Sequence, residues 1–146
     1  MSKYKLIALI GEAGSGKDFL LRCSRSQYPE YNEIVSCTTR PPRMGEVDKI
    51  NYHFMNDKTF IDIIEKGQML EHTVFNGWRY GTEEASLNPN KVNIGVFNPE
   101  GIRSLLKFKD LIDLRVFYVR APAKVRLIRQ LNREDDPNVE EVIRRY

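Results

Sequence analysis

The seven residues Gly11-Glu12-Ala13-Gly14-Ser15-Gly16-Lys17 restrict the fold more than any other part of the chain. They follow Lys5-Leu6-Ile7-Ala8-Leu9-Ile10, a short continuous apolar run that suits a strand buried on both faces. They precede Lys17 to Ser26, which reads as a helix. Glycines in the spacing G-x-x-x-x-G-K let the backbone wrap an anion and aim successive N–H groups at its oxygens, while the helix start adds attraction. Lys17 supplies a point charge suited to the β- and γ-phosphates of a nucleotide. At the next position, where a Ser or Thr hydroxyl ordinarily meets Mg²⁺, the chain has Asp18. A carboxylate can serve a hard cation directly or through water. It also complements the dipole of a helix start, and the two readings stand side by side.

Downstream, Asn32 to Cys37 reads as a second strand, and Arg40 to Gly45, with two prolines and a glycine, as a loop. Between about Tyr52 and Ser86 the pattern changes. Short aromatic-rich strands (Tyr52-His53-Phe54, Met69 to Phe75, Trp78 to Tyr80) surround a helix with apolar residues at Phe60, Ile63 and Ile64. Asn76-Gly77 between two strand-like runs signals a hairpin turn. A strand over Lys91 to Phe97, a helix over Pro99 to Lys107 and a strand over Leu114 to Val119 then resume parallel α/β alternation. A helix from about Pro122 to Leu131 leads through the charged stretch Asn132 to Asn138 into a last helix from Val139, uncapped at Tyr146. A further C-terminal piece is expected there.

Two arginines, Arg40 and Arg43, stand three apart on the proline-stiffened loop Arg40-Pro41-Pro42-Arg43, with the hydroxyls of Ser36, Thr38 and Thr39 just before them. Arginine suits bidentate recognition of a phosphate monoester, and the prolines reduce the entropy lost in holding the fork. A second cluster, Arg126/Arg129/Arg133, follows with Arg129 and Arg133 one helical turn apart, and Arg144 and Arg145 lie beyond it. Net charge is only +3, from 23 Lys+Arg and 20 Asp+Glu in 146 residues. That balance does not point to nucleic acid. No apolar run approaches the length of a membrane span, and the N-terminus does not read as a signal peptide. Cys23 and Cys37 have neither metal-site spacing nor the density of a secreted scaffold, so both are read as reduced thiols of a cytoplasmic protein.

Taken together, these segments resemble the guanylate kinase family. That family shows a phosphate loop, then S-x-T-T-R-x-P-R-x-G-E-x-x-G-x-x-Y, then a glutamate, then Y-G-[ST]. This chain has Ser36, Thr38, Thr39, Arg40, Pro42, Arg43, Gly45, Glu46 and Tyr52, then Glu71, then Tyr80-Gly81-Thr82. The resemblance implies an α/β P-loop kinase core, a parallel sheet flanked by helices, with a small mixed α/β acceptor-binding insert and a short helical lid. Residues 1–38 and 91–146 would form the core, 39–90 the insert, and about 129–139 the lid. It further implies transfer of the γ-phosphoryl group of ATP to GMP or dGMP with Mg²⁺, small nucleotides as the partners, and no nucleic acid or membrane.

By the same resemblance, residues 11–18 bind ATP. Arg40, Arg43, Tyr52 and Tyr80 hold the acceptor phosphate, with Glu46 and Gly81 in the same motifs. Glu71 accepts from guanine N1–H and the 2-amino group, while Ser36 and Thr82 address neighbouring edge atoms. Lys17, Arg129, Arg133 and Arg144 (or Arg145) offset charge on the transferred group. A carboxylate that accepts two parallel N–H bonds suits guanine and repels adenine.

Three features depart from the pattern. Asp18 replaces the hydroxyl. The expected D-x-D after the Val92 to Phe97 strand is Val96-Phe97-Asn98, which leaves Asn98 as the acceptor-side residue. The lid loop Glu134-Asp135-Asp136-Pro137 replaces a glycine-threonine segment. G-K-D also occurs in phage and prophage nucleotide kinases, so a divergent member of that type is one form of the expectation. The alternatives are a kinase of other or several deoxynucleoside monophosphates and an inactive module that binds a phosphorylated peptide through Arg40, Arg43 and Tyr52.

Overall fold

The computed structural model describes residues 3–133 and 138–144. The expected lid loop (134–137), Arg145 and Tyr146 lie outside the described residues. Strand β1 (Tyr4–Ile10) is central in a four-stranded sheet of order β2-β7-β1-β8, where β2 is Asn32–Glu33, β7 is Val92–Val96 and β8 is Ile112–Tyr118. Every pairing in it is parallel. Helices α1 (Lys17–Gln27), α3 (Pro99–Leu105) and α4 (Ala123–Leu131) connect or follow these strands, and a short helix, α5 (Val139–Arg144), comes last. The core of this sheet gathers Leu6, Ala8, Phe97, Leu105 and Ile112. Such an all-parallel sheet needs cover on both faces, which explains the unbroken apolar run of β1.

A second sheet has the order β4-β3-β6-β5, built from β3 (Cys37–Thr38), β4 (His53–Phe54), β5 (Met69–Phe75) and β6 (Trp78–Glu83). Helix α2 (Asp57–Glu65) lays Phe60, fully buried, against Cys37 and Met69, with Ile63 and Ile64 beside them. Its start is capped by Asn56, whose side chain accepts from Thr59 N at 2.8 Å. Asn76 and Gly77 both have positive φ (49° and 79°) and join Phe75 to its partner Trp78. That is the two-residue turn the Asn-Gly pair demands.

The single strand expected over Asn32 to Cys37 is two strands in different sheets. Asn32 and Glu33 pair with β7, and the Asn32 amide donates to Asn93 Oδ1 at 2.7 Å. Four residues after Glu33, Cys37 is packed in the second core. Two cores compete for one extended segment, so the chain crosses between them at residues 34–36. Two smaller differences follow local chemistry. β6 runs on to Glu83, past Tyr80, because β5 continues to pair with it. The helix at Pro99 tightens into a 3-10 turn at Leu106–Phe108.

Candidate active site

The phosphate loop lies between the end of β1 and the start of α1, the C-terminal edge where parallel α/β sheets place ligands. Gly14 and Gly16 have φ of 76° and 106°, values that favour glycine. Gly14 also passes so close to α4 that a Cβ would stand 2.8 Å from the Arg126 carbonyl oxygen. Ser15 is buried, and its Oγ has no hydrogen-bond partner among the described residues. Such an orphaned hydroxyl inside the loop marks a place where an anion oxygen can complete the bonding. Lys17 Nζ donates back to the carbonyls of Gly11 and Glu12, the latter at 3.1 Å. Burial lowers its pKa from the ordinary value.

A cavity of about 310 Å³ opens over this loop, lined by residues 13–19 together with Arg22, Arg129, Gln130 and Arg133. Among the described residues, Asp18 is the one carboxylate in that lining. It pairs with Arg133 at 3.4 Å, while Arg129 donates to Gly14 O at 3.0 Å. Arg126 pairs with Glu12 at 2.7 Å. Three arginines of α4 and its C-terminal flank thus reach the loop, although Arg133 lies two residues beyond the helix end. Arg144 is exposed on α5 and lines neither this cavity nor the next.

A second cavity, about 360 Å³, lies between the two sheets and is lined by Gly11, Lys17, Ser36, Tyr52, Glu71, Thr73, Tyr80, Gly81, Val96, Phe97, Asn98 and Pro99. Six of the acceptor residues expected from the sequence therefore meet in one space. Lys17 lines both cavities.

Glu71 owes its position to an irregularity in β5. Met69 pairs with Glu83, but Glu71 pairs with Thr82, so Leu70 is the extra residue of a β-bulge. The bulge lies where Met69 enters the second core and Leu70 the first. It also sets Glu71 opposite Thr82, whose hydroxyl donates to Glu71 Oε1 at 2.7 Å. Burial raises the Glu71 pKa, and the Thr82 bond opposes that shift. Thr82 is itself buried and lines no part of the cavity. Thr82 meets Glu71 and does not face the cavity, where the family resemblance implies it. Gly81 is needed for close approach, since a Cβ there would meet Glu71 O and Met69 Sδ at 2.8 Å.

Arg40 is buried, and its guanidinium forks onto Glu46 at 2.7 and 2.9 Å. It also stands 5.5 Å from the centre of the Tyr52 ring, and the bond to Glu46, with a further one to Tyr80, raises its pKa. Glu46 in turn is held down at about 2, first by Arg40 and then by the Arg43 backbone N–H. Glu46 is thus a partner of Arg40 in this structure, and none of Arg40, Arg43 and Glu46 lines the cavity. Asn98 does line it, but its Oδ1 accepts from Gly101 N at 2.7 Å and caps α3. That bond is the local reason an amide can stand there: Asn is as good a helix cap as Asp.

Sequence reasoning passed over Thr73, Phe97, Arg22 and the Glu12–Arg126 pair. Arg22 carried a signal, lying four residues after Asp18 and so on the same helical face. Thr73 and Phe97 carried none, since only the packing of one sheet on the other brings them to the cavity.

A lysine-bearing glycine loop at the carboxyl edge of a parallel sheet, beside a second cavity lined by a half-buried carboxylate and two tyrosines, defines a P-loop protein with two adjoining ligand spaces. Comparison with known proteins narrows this further. The family model "Guanylate kinase" matches residues 3–145. The guanylate kinase of Frankia casuarinae is 31% identical over 147 residues, covering 96% of this chain and 77% of that protein. Those of Leifsonia xyli and Chlamydia muridarum are 35% and 32% identical over 86% and 90% of this chain, which spans 51% and 65% of their lengths. The crystal structure of guanylate kinase from Anaplasma phagocytophilum superposes with a TM-score of 0.55 at 19% identity, over 81% of this chain and 62% of that one. The chain belongs to the guanylate kinase family.

Among the described residues no helix is long and apolar enough to cross a membrane.

Proposed function

We propose that this protein is an ATP-dependent guanylate kinase, which moves the γ-phosphoryl group of ATP onto the phosphate of GMP or dGMP and yields ADP and GDP or dGDP. The observation that carries the reading is Lys17, which lines both cavities and so stands where donor and acceptor phosphates would meet. In this reading the first cavity takes ATP and the second takes the acceptor. Residues 39–90 act as the acceptor-binding unit.

Each resident group then has a task. The loop N–H groups and the Ser15 hydroxyl take the donor phosphates. Lys17 exchanges the neutral carbonyls of Gly11 and Glu12 for charged phosphate oxygens, a stronger partnership. Glu71, oriented by Thr82, accepts from guanine N1–H and the 2-amino group. Tyr52 and Tyr80 face the acceptor phosphate, and Arg40 would have to leave Glu46 to reach it. Arg129 and Arg133 offset charge as the phosphoryl group passes in line between oxygens.

Mg²⁺ commonly takes one or two carboxylates plus substrate phosphates. Asp18, the one carboxylate in the first cavity, meets that requirement, and the ion would neutralise charge on the donor phosphates. The buried Cys37 thiol, pushed up to about 12 by burial, fits a reducing, cytoplasmic setting. The experiment is a coupled assay of ADP release with ATP and Mg²⁺ against GMP, dGMP, AMP, CMP and TMP. Turnover confined to the guanine nucleotides is expected. Equal turnover of the others, or none with GMP, would overturn the assignment.

A further inference from the structure

Phe54 closes β4 yet belongs to neither hydrophobic core. Its half-buried ring meets Tyr52 edge-on, at 5.8 Å between ring centres. It also meets Arg40, whose guanidinium carbon stands over the Phe54 ring, 5.9 Å from its centre. The same carbon stands over the Tyr52 ring at 5.5 Å. Both distances fall within the reach of a cation held over a ring face, about 6 Å.

Strand alternation produces this arrangement. Tyr52 and Phe54 stand two apart on an extended segment and share one side of it, while His53 turns the other way to Glu83. On the neighbouring strand, Thr38 is the register partner of Phe54, and its hydroxyl accepts from Arg40 N at 3.2 Å. The Arg40 backbone is thereby fixed beside the two rings. Glu46 takes the N–H fork, Pro41 O accepts from Nη1 at 3.0 Å, and the rings hold the cation over their faces.

Of this group only Tyr52 lines the acceptor cavity. A phosphate in that cavity meets the guanidinium only when the cation gives up Glu46, and the Arg40 side chain is just 9% exposed. A charge that parts from its partner so far from water is costly unless something else supports it. Ring faces are negative and attract a cation wherever it stands above them.

We propose that Phe54 is a positioning residue for the acceptor phosphate: with Tyr52 it forms an aromatic slot that carries the Arg40 guanidinium from Glu46 to the phosphate monoester of the bound nucleotide. The role rests on the second cavity taking a nucleoside monophosphate. A leucine would occupy much of the same space and offer no negative face.

The test is calorimetric titration of the 146-residue chain and its variants with GMP and with guanosine, which lacks the phosphate. Far-UV circular dichroism checks folding. Phe54→Leu should weaken GMP binding about tenfold and leave guanosine binding unchanged. Phe54→Tyr keeps the ring and should bind GMP as the wild type does. In an Arg40→Met background, Phe54→Leu should cost nothing further, because the cation it acts through is gone. A ring that only packs would weaken both ligands alike, and in either background. Undiminished GMP binding by Phe54→Leu, equal loss of GMP and guanosine, or a loss that persists beside Arg40→Met would each overturn the slot. Should Phe54→Leu fail to fold, pentafluorophenylalanine at position 54 keeps the ring and removes its negative face. Undiminished GMP binding would then reject the proposal. A wild-type chain that binds no GMP would overturn the acceptor reading together with the slot, whereas wild-type binding with neutral Phe54 variants overturns the slot alone.

Discussion

Lys17 rests on two carbonyls of its own loop, and the cost of losing its charge falls on the transferred phosphate. Lys17→Ala should lower kcat at least about a hundredfold, in line with the loss of one preorganised charge in a phosphoryl-transfer site. GMP affinity, measured by calorimetry, should change little, because in the proposed reading the base is taken by Glu71, in the other sheet. For Glu71 the sign of the pKa shift matters. Burial raises it, so folding favours the protonated acid. The stability contribution of this group is present below the ordinary glutamate pKa and is lost as pH rises through the raised value. Function runs the other way, since only the carboxylate accepts from guanine. The KM for GMP should rise on acidification at a higher pH than an ordinary glutamate would impose. Glu71→Gln should remove that dependence and lower kcat/KM for GMP about a hundredfold. It should also raise Tm at neutral pH. Equal losses for GMP and AMP would show that Glu71 does not read the base.

At the scale of elements, the bulge at Leu70 and the glycine opposite it act together. Gly81→Ala would press a methyl group against Glu71 O and Met69 Sδ and force β5 away from β6. The KM for GMP should rise about tenfold or more while that for ATP holds, since the phosphate loop is in the other sheet. Steady-state kinetics with each substrate varied separates the two. Helix α3 gives a second case. Asn98→Ala should cost about 1 kcal/mol by losing its cap, whereas Asn98→Asp should keep it; chemical denaturation measures both. Asn98 does two things, closing α3 and facing the cavity, and only the first has a signature in spacing. The bulge had no signature at all. The extra residue shows only in the way β5 pairs with β6.

Across the whole molecule, the two cavities share Lys17, and the gained acid at Asp18 faces one while the lost acid at Asn98 faces the other. If both positions act on one metal, Asp18→Ala should raise the Mg²⁺ requirement, Asp18→Ser should be partly tolerated, and Asn98→Asp should partly rescue Asp18→Ala. A double-mutant cycle on the Mg²⁺ dependence reads the coupling. Additive effects would leave Asp18 as a helix-start residue and partner of Arg133.

The phosphate loop, the alternation of strands and helices, the hairpin turn and the arginine pair were all legible in the linear chain, because each depends on neighbours within a few residues. A positive φ needs glycine wherever the loop sits, and a strand buried on both faces needs an apolar run. Contacts that close over long separations were decided only on folding. The split of Asn32 to Cys37 between two sheets and the meeting of Asp18 with Arg133 are of this kind. Neither has a period or a spacing to betray it. Each exists because two separately formed layers pack against one another and leave a polar group one available partner.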